Sequence, residues 1–537
     1  MQDTNILHGP TVSLIEFKNI SLGQLILNQI RVHSGWVAQI DAYTRKTHTF
    51  KDILDISQRL AIALDKEGLR KDDRVAICSE NNLEFSIVVC AAFYLGVTVC
   101  PLNPLYTERE LKHALSISKP KYIFASVIGA KTVQNVAPQL DWLSKLIMLT
   151  ESKDNKLSSI NSLISDITIP DNFKACSVDV NNHVAVISCS SGTTGLPKGV
   201  MLTDKNFLAV IQNIGAAQPH NMCANVTCLA LLPFFHAYSF SMILARLVFG
   251  NKNVILSRFD EKMFLRSIEK YKIENITLVP PLMVFLAKHP IVDKYDLSSI
   301  KEVWCGAAPL SEDIAKMVAK RLNIPTIKQG YGLTETTLAV LKSPIGSTKY
   351  GSVGKLVPGV SAKVIPIDEG ESNKPLGPNC VGELCFKGNV IMKGYCDNEE
   401  ATTACIDKDG WFHSGDIGYY DEEGYFYVVD RMKELIKYKG YQVPPAELEA
   451  ILLTCPGIQD AAVVGQPHEE AGELPTAFVV KQEDSTLTAE DVANFVNERV
   501  SSHKRLRGGI KFVKDIPKTA SGKILRRTLR DTLKPKL

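Results

Sequence analysis

The stretch Val184-Ala-Val-Ile-Ser-Cys-Ser-Ser-Gly-Thr-Thr-Gly-Leu-Pro-Lys-Gly199 joins an apolar run to a loop rich in glycine and hydroxyl side chains. The residues from Val184 to Ser188 predict a buried strand. The loop that follows can offer backbone N–H groups, hydroxyl donors and the Lys198 cation to a polyphosphate. Because Lys198 precedes Gly199 rather than a serine or threonine, this loop differs from the P-loop of nucleotide triphosphatases.

On either side of this stretch, short runs of β-branched residues alternate with longer amphipathic segments. Ser311, for example, can cap a helix with apolar positions at helical spacing, namely Ile314, Met317, Val318 and Leu322. This alternation predicts a large α/β domain whose sheets are covered by helices.

The last hundred or so residues differ in pattern. Tyr425-Phe-Tyr-Val-Val429 predicts a strand, Pro444-Pro445 opens a predicted helix, and Thr488 with Asp491 resembles a capping box. We therefore predict a small α+β unit at the C-terminus, with its boundary near Asp430 to Lys433.

Length and composition narrow the functional classes. The chain of 537 residues is long enough for two or more domains, and its net charge of +3 argues against a nucleic-acid partner. The thirteen cysteines include no CxxC pair and no completed zinc site, which favours reduced thiols.

The most apolar stretch, Ser86 to Leu102, is shorter than the ~20 residues of a membrane span, so we expect no transmembrane segment. The first residues have no basic and apolar regions of the kind that make a secretory signal.

Four further segments, together with the loop after Val184, resemble the motifs of the adenylate-forming superfamily in order and spacing. They are Gln329-Gly-Tyr-Gly-Leu-Thr-Glu-Thr-Thr337, Gly410-Trp-Phe-His-Ser-Gly-Asp416, Asp430-Arg-Met-Lys-Glu-Leu-Ile-Lys-Tyr-Lys-Gly-Tyr-Gln442 and Pro517-Lys-Thr-Ala-Ser-Gly-Lys523. That superfamily includes acyl-CoA synthetases, 4-coumarate–CoA ligases, beetle luciferases and the adenylation domains of peptide synthetases.

The resemblance implies an N-terminal AMP-binding domain over residues 1–430, a hinge at 431–435 and a mobile C-terminal domain over 436–537. It also implies a reaction in two halves. A carboxylic acid first reacts with ATP to give an acyl-adenylate, and coenzyme A then takes the acyl group. The implied cofactors are ATP, Mg²⁺ and coenzyme A.

The resemblance also assigns roles to individual residues. Lys523 would serve the first half-reaction, Lys437 the second, and His236 would lie against the acyl group. The implied ATP- and AMP-binding residues are Ser190, Ser191, Gly192, Thr193, Thr194, Lys198, Gly306, Ala307, Ala308, Gln329, Gly330, Tyr331, Thr334, Asp416, Arg431 and Lys433. Glu335, with Thr194, would hold the magnesium ion, since a hard cation prefers oxygen ligands.

Two more sets follow from the same resemblance. Coenzyme A would contact Lys439, Gly440 and Gln442. The acyl pocket would be lined by His236, Tyr238, Phe240, Met242, Ala307, Leu338 and Ala339. This lining is apolar and offers no acidic anchor or other charged partner, which argues against an amino-acid substrate.

Within the superfamily, the motifs are most similar to insect luciferase-like fatty acyl-CoA synthetases and beetle luciferases, with 4-coumarate–CoA ligases next. Leu338 stands where luciferases usually carry serine, and this favours a medium- or long-chain fatty acid–CoA ligase. A luciferase-type monooxygenase and a 4-coumarate–CoA ligase-like enzyme remain alternatives. A degenerate, non-enzymatic member is disfavoured because Lys523, Glu335 and Asp416 are all present.

The sequence ends in Lys534-Pro-Lys-Leu537, which resembles a peroxisomal address of the Ser-Lys-Leu type. Pro535 departs from the usual small residue. The expectation is a peroxisomal enzyme recognised by an import receptor, and otherwise a cytoplasmic one.

Overall fold

The computed structural model describes residues 5–11, 20–151, 157–190, 197–217, 225–367, 374–439, 441–519 and 522–533. Within them the chain builds a large N-terminal region of three sheets and a smaller C-terminal region with a sheet of its own. The predicted architecture, a large α/β domain followed by a small α+β domain, is confirmed.

The first sheet contains the strand predicted from Val184, which runs over Val184–Ser190. It pairs antiparallel with Lys198–Thr203 and parallel with Thr98–Leu102. In spatial order the strands of this sheet are Gly394–Tyr395, Lys198–Thr203, Val184–Ser190, Thr98–Leu102, Arg74–Cys78, Tyr122–Ala125, Lys145–Met148 and Ser158–Ser159.

The second sheet is mostly parallel at its centre and carries the strands that matter most for the site. Glu302–Cys305 pairs parallel with Lys328–Gly332, which pairs antiparallel with Ala339–Lys342. In spatial order its strands are Lys355–Leu356, Ala339–Lys342, Lys328–Gly332, Glu302–Cys305, Asn275–Leu278, Thr227–Ala230, Lys252–Ile255, Val37–Asp41 and Thr47–Thr49.

The third sheet is antiparallel and ends at the junction with the C-terminal region. Its strands, in spatial order, are Leu7–His8, Val360–Ile365, Gly382–Gly388, Phe412–Tyr420 and Phe426–Arg431. Asp416 pairs with Arg431 across its last two strands.

Helices cover the sheets of the N-terminal region. Leu83–Tyr94 contacts strands of the first and second sheets and is buried along nearly its whole length, which explains the apolar stretch noted above. In the part of the chain that the structure describes, no helix is long and apolar enough to cross a membrane. The remaining helices are Leu22–Val32, Phe50–Lys66, Glu108–Ser118, Val127–Val136, Ile160–Ile164, Asp204–Ala217, Ala237–Val248, Glu261–Tyr271, Pro280–Lys288, Glu312–Leu322 and Glu399–Thr403.

Short 3₁₀ turns lie at Ala137–Gln139, Pro290–Lys294 and Thr334–Thr336. Ser311 caps Glu312–Leu322 as predicted, through a hydrogen bond that its side chain accepts from the Ile314 N–H. The prediction that Met317 lies on the apolar face of this helix was wrong, because its side chain is exposed at the surface.

The C-terminal region has its own apolar core. Its sheet comprises Tyr441–Val443, Ile436–Tyr438, Gly472–Lys481 and Ile458–His468, with Ile510–Phe512 parallel to Gly472–Lys481. Its helices are Pro445–Thr454, Ala489–Asn497 and Arg526–Asp531, with a 3₁₀ turn at Ser502–Lys504. This sheet starts at Ile436, five residues after the third sheet ends at Arg431. The hinge at 431–435 stays a prediction.

Candidate active site

A loop of the C-terminal region brings Lys523 against the N-terminal region. The loop is closed by hydrogen bonds from Thr519 N to Lys523 O at 2.8 Å and from Lys523 N to Thr519 Oγ1 at 3.1 Å. Gly522 has a φ of +81°, and a Cβ there would lie 3.2 Å from Val279 Cγ2. Glycine is therefore needed for both the turn and the close approach to the start of helix Pro280–Lys288.

Lys523 lines a cavity of about 100 Å³. The floor is the glycine-rich face of the second sheet, formed by Gly306, Gly330 and Gly332. The other lining residues are Ile214, His236, Ala237, Tyr238, Met242, Thr277, Trp304, Ala307, Leu333, Thr334, Thr337, Leu338, Ala339 and Lys342.

The charges around Lys523 are those that the motifs predicted for the first half-reaction. Burial and the Arg431 guanidinium lower the pKa of Lys523, while the Asp416 and Glu335 carboxylates oppose this shift. Burial, with a smaller effect of the Lys523 ammonium, lowers the pKa of His236 to about 4. The imidazole is therefore neutral at physiological pH and can accept or donate a hydrogen bond beside a cation.

The predicted adenine and ribose segments meet in space. The Tyr331 hydroxyl donates to Asp416 Oδ2 at 2.7 Å, and Arg431 Nε lies 3.3 Å from Asp416 Oδ1. Burial raises the pKa of Asp416 against the effect of Arg431. Gln329 lies on the same strand as Tyr331 and is buried, with its Nε2 donating to the Ser352 carbonyl at 3.4 Å.

Tyr395 links two predicted residues and was missed by the sequence analysis. Its hydroxyl donates to Glu335 Oε1 at 2.9 Å, and the Lys198 ammonium lies 4.7 Å from the centre of its ring. Tyr395 therefore contacts Glu335, the predicted magnesium ligand, through its hydroxyl and the Lys198 ammonium through its ring. Glu335 offers carboxylate oxygen, which fits a hard cation. Tyr395 lies in Lys393-Gly394-Tyr395, and the sequence gives no signal that sets it apart.

Two residues of the cavity wall other than glycine have a left-handed backbone. Ala307 has a φ of 71° and Thr337 a φ of 63°. Thr337 is held by hydrogen bonds from its Oγ1 to the Val390 carbonyl at 2.7 Å and from Ser241 Oγ to its own carbonyl at 3.2 Å. Such strain persists only where the surroundings enforce it, and it is frequent at functional sites.

Of the residues predicted for the acyl pocket, Tyr238, Met242, Leu338 and Ala339 line the cavity, but Phe240 does not. Tyr238 and Met242 are four residues apart on helix Ala237–Val248 and so share a face. Phe240 lies between them in sequence and points to the opposite face, where its ring packs 6.2 Å from Phe85 and 5.8 Å from Phe207. Its assignment to the acyl pocket was wrong.

The expectation that the pocket carries no charged group was also wrong. Lys342 lies at the end of strand Ala339–Lys342, where it is buried and lines the cavity. Opposite Tyr331 and Gly332 of the neighbouring strand, a bulge shifts the pairing of this strand by one residue, so that Ala339 and Lys342 both face the cavity although simple alternation would separate them.

Several predicted residues are not brought to the cavity. Lys433, in the predicted hinge, is exposed, as are Lys437, Lys439 and Gln442 on the C-terminal region, and the N–H of Lys437 donates to Glu473 Oε2 at 2.9 Å. Ser190 is buried at the end of its strand, and Ala308 follows Ala307 outside the lining. The structure therefore brings Lys523 to the cavity beside His236, whereas Lys437, Lys439 and Gln442, which were predicted for the second half-reaction, lie apart from it. Ser191, Gly192, Thr193, Thr194 and Gly440 lie outside the described residues.

Comparisons with known proteins agree with this arrangement. The AMP-binding enzyme family matches residues 27–396, and the AMP-binding enzyme C-terminal domain matches residues 447–523. The chain is 45% identical to luciferin 4-monooxygenase of Photuris pensylvanica, over 99% of this chain and 98% of that protein. It is 38% identical to the probable 4-coumarate–CoA ligase 1 of Dictyostelium discoideum, over 96% of this chain and 95% of that protein.

Among solved structures, ATP-bound MatB from Rhodopseudomonas palustris superposes with a TM-score of 0.86 at 25% identity, covering 96% of this chain and 99% of that one. Both family regions and the residues around Lys523 thus point the same way. The chain belongs to the AMP-binding enzyme family, whose adenylate-forming members include luciferases and acid–CoA ligases.

Proposed function

We propose that this protein is an ATP-dependent acid–CoA ligase that activates a medium- or long-chain fatty acid as its adenylate. The observation that carries the proposal is the position of Lys523. This lysine comes from the C-terminal region, yet it lines the cavity of the N-terminal region beside His236 and near Asp416 and Glu335.

In the first half-reaction, a carboxylate oxygen of the acid attacks the α-phosphorus of ATP. The new O–P bond forms as the bond from the α-phosphorus to the bridging oxygen breaks, and pyrophosphate leaves with that electron pair. Two anions must approach each other, so a fixed cation lowers the barrier. Lys523 supplies that cation, and Asp416 with Tyr331 holds the nucleotide's ribose.

In the second half-reaction, the thiol sulfur of coenzyme A attacks the acyl carbonyl carbon, the bond to AMP breaks, and the thiol proton passes to solvent. Lys437, Lys439 and Gln442 are the described residues proposed for this step, and all three are exposed in this arrangement. A rotation of the C-terminal region at 431–435 would be needed to bring them to the cavity, and such motions often limit turnover.

The magnesium ion proposed for the first half-reaction would supply charge neutralisation of the phosphates. Glu335 would hold it, since its buried carboxylate accepts a hydrogen bond from the Tyr395 hydroxyl, and the ring of that tyrosine also contacts the Lys198 ammonium. Thr194 is the second proposed ligand.

The proposed acid is aliphatic because the wall between His236 and Ala339 is largely apolar. Each buried methylene adds about 0.8 kcal/mol of binding.

The test is an ATP–pyrophosphate exchange assay with a panel of fatty, cinnamic and amino acids, followed by detection of the coenzyme A thioester. Fatty acids should give the highest kcat/KM. A clear preference for coumaric acid or acetate would refute the substrate assignment, and exchange without thioester would refute the ligase.

The second candidate is a luciferase-type monooxygenase, supported by the 45% identity to a luciferin 4-monooxygenase. Leu338, an apolar residue of the cavity wall, is the observation that favours the ligase over it. With luciferin supplied, emission should be faint or absent, and Leu338→Ser should raise it. Strong light from the unaltered protein would favour the monooxygenase.

For the compartment we propose the peroxisome, with recognition of Pro535-Lys536-Leu537 by an import receptor. These residues lie outside the described part of the chain. A fluorescent protein fused at the N-terminus should give peroxisomal puncta that disappear when the last three residues are deleted. Diffuse signal from both fusions would mean a cytoplasmic enzyme.

A further inference from the structure

Two hydrogen-bond donors at one end of the cavity have no partner among the described residues. They are the ammonium of Lys342, a residue that is 8% exposed, and the indole Nε1 of Trp304, a residue that is 4% exposed. Both residues line the cavity. Buried donors are almost always satisfied in native proteins, so a pair of unsatisfied donors facing one space needs an explanation.

The nearby acceptors are engaged elsewhere. Glu302 accepts on one carboxylate oxygen from Lys328 Nζ and on the other from Asn275 Nδ2 at 2.7 Å. Thr277 Oγ1 accepts from Arg246 at 3.2 Å. The Trp304 ring lies 4.8 Å from Lys342 Nζ, which offsets part of the cost of burying the charge but supplies no acceptor.

The strand positions of the two donors lie away from the segment that carries Glu335. Gly332 is followed directly by Leu333, Thr334 and Glu335, and the charge of Lys523 interacts with Glu335. Lys342 pairs across the sheet with Gly330, and Trp304 pairs with Lys328. Gly330 lies about 7 Å along the strand from Gly332, and Lys328 lies about 7 Å beyond Gly330.

We propose that Lys342 and Trp304 bind a second anionic oxygen at the far end of the acid, so that the preferred substrate is a medium-chain acid carrying a terminal carboxylate as well as the reacting one. The proposal rests on the proposed ligase function and narrows its substrate class. One carboxylate lies against Lys523, the glycine floor accommodates the methylene chain, and the other carboxylate accepts hydrogen bonds from Lys342 Nζ and Trp304 Nε1.

The test compares octanedioic acid with octanoic acid by ATP–pyrophosphate exchange, in the wild type, in Lys342→Met and in Lys355→Met. Methionine keeps the length of the side chain and removes the charge. Lys355 lies directly opposite Lys342 on the neighbouring strand but does not line the cavity, so it is the matched control. 8-Hydroxyoctanoic acid carries a terminal hydroxyl in place of the second carboxylate. It tests whether the site requires an anion or accepts any hydrogen-bond acceptor.

We expect the wild type to favour octanedioic over octanoic acid in kcat/KM by at least tenfold. Lys342→Met should lower that ratio by roughly ten- to a hundredfold, as expected when a buried polar site loses its partner, and Lys355→Met should not change it. The hydroxy acid should fall between the two. Octanoic acid is the internal reference, because a loss of folded protein lowers both rates and leaves their ratio unchanged.

The outcomes separate the two proposals. If octanoic acid is activated but the ratio is the same in the wild type and in Lys342→Met, the second-anion proposal is overturned while the ligase stands. If no acid supports exchange, the ligase itself fails. A wild type that prefers the methyl-terminated acid also overturns the inference.

Discussion

The Tyr331 hydroxyl and the Asp416 carboxylate are joined by a hydrogen bond of 2.7 Å that connects the second sheet to the third. Tyr331 is on strand Lys328–Gly332, and Asp416 is on strand Phe412–Tyr420. The bond fixes one carboxylate oxygen, while Arg431 faces the other. The site proposed for the ribose is therefore held between two sheets rather than on one loop.

Removing this hydroxyl tests that arrangement. Tyr331→Phe should raise the KM for ATP by roughly five- to thirtyfold, because a hydrogen bond to a charged group contributes about 1.5–3 kcal/mol and part of it is recovered by solvent. ATP–pyrophosphate exchange measures the effect. Tyr420→Phe, which loses a hydrogen bond to the Leu376 carbonyl far from the cavity, is the control. Equal effects of the two substitutions would argue against a nucleotide role for Tyr331.

The two half-reactions should respond to different lysines. Lys523→Ala should slow adenylate formation by two or more orders of magnitude, as expected for loss of a preorganised charge, and leave thioester formation from supplied acyl-adenylate nearly intact. Lys437→Ala should do the opposite. Single-turnover kinetics of each half-reaction measure both. Lys518→Ala, on the same loop as Lys523 but paired with Asp460 at 2.6 Å, controls for loop damage. If Lys523→Ala slows both halves equally, the proposed division is wrong.

Lys288 should stabilise the orientation of the C-terminal region in which Lys523 lines the cavity. Its Nζ donates to the carbonyls of Leu453 at 2.8 Å and Ile458 at 3.4 Å, both on the C-terminal region, and burial lowers its pKa. Lys288→Met should therefore slow adenylate formation several-fold without slowing thioester formation from supplied adenylate. Exposed Lys294, mutated in the same way, should leave both rates unchanged. Slower thioester formation in Lys288→Met would contradict this role.

The stability of the fold should depend on pH through Lys342. Burial lowers its pKa from 10.5 to about 7, with Glu302 opposing and Lys328 reinforcing the shift. Below pH 7 the folded state carries the buried charge at full cost. As the pH rises from 7 to about 10, the folded state is neutral while the unfolded state still binds the proton, so the cost shrinks.

Lys342→Met removes this cost, which amounts to several kcal/mol at most. The variant should therefore have a higher Tm than the wild type, with the largest difference at or below pH 7 and little difference near pH 10. Thermal unfolding across that range measures it. A difference that does not vary with pH would mean that the pKa of Lys342 is the same in the folded and the unfolded states, and would contradict the lowered pKa.

The sequence predicted the fold and the family well, because motifs such as that of Lys523 depend on local loop chemistry. The sequence did not predict the position of Phe240, because residues two positions apart on a helix lie on opposite faces. Which face of helix Ala237–Val248 meets the cavity depends on the packing of Phe240 against Phe85 and Phe207. It missed Lys342 for a different reason. The bulge in strand Ala339–Lys342, opposite Tyr331, turns Lys342 toward the cavity. A bulge results from the pairing of two strands and cannot be predicted from the sequence of either strand alone.

The glycine floor of the cavity has a consequence for how this enzyme could diverge. A Cβ at Gly332 would lie 1.8 Å from the Leu338 carbonyl oxygen, so any side chain there damages the strand. A Cβ at Gly330 would meet only ordinary contacts, 3.5 Å from the Leu341 carbonyl oxygen and 3.6 Å from Ala339 Cβ. A single glycine-to-alanine change at position 330 can therefore shorten the space for the chain at little cost in folding. In the proposed ligase, the accepted length of the acid can therefore be changed by substitution at Gly330 but not at Gly332.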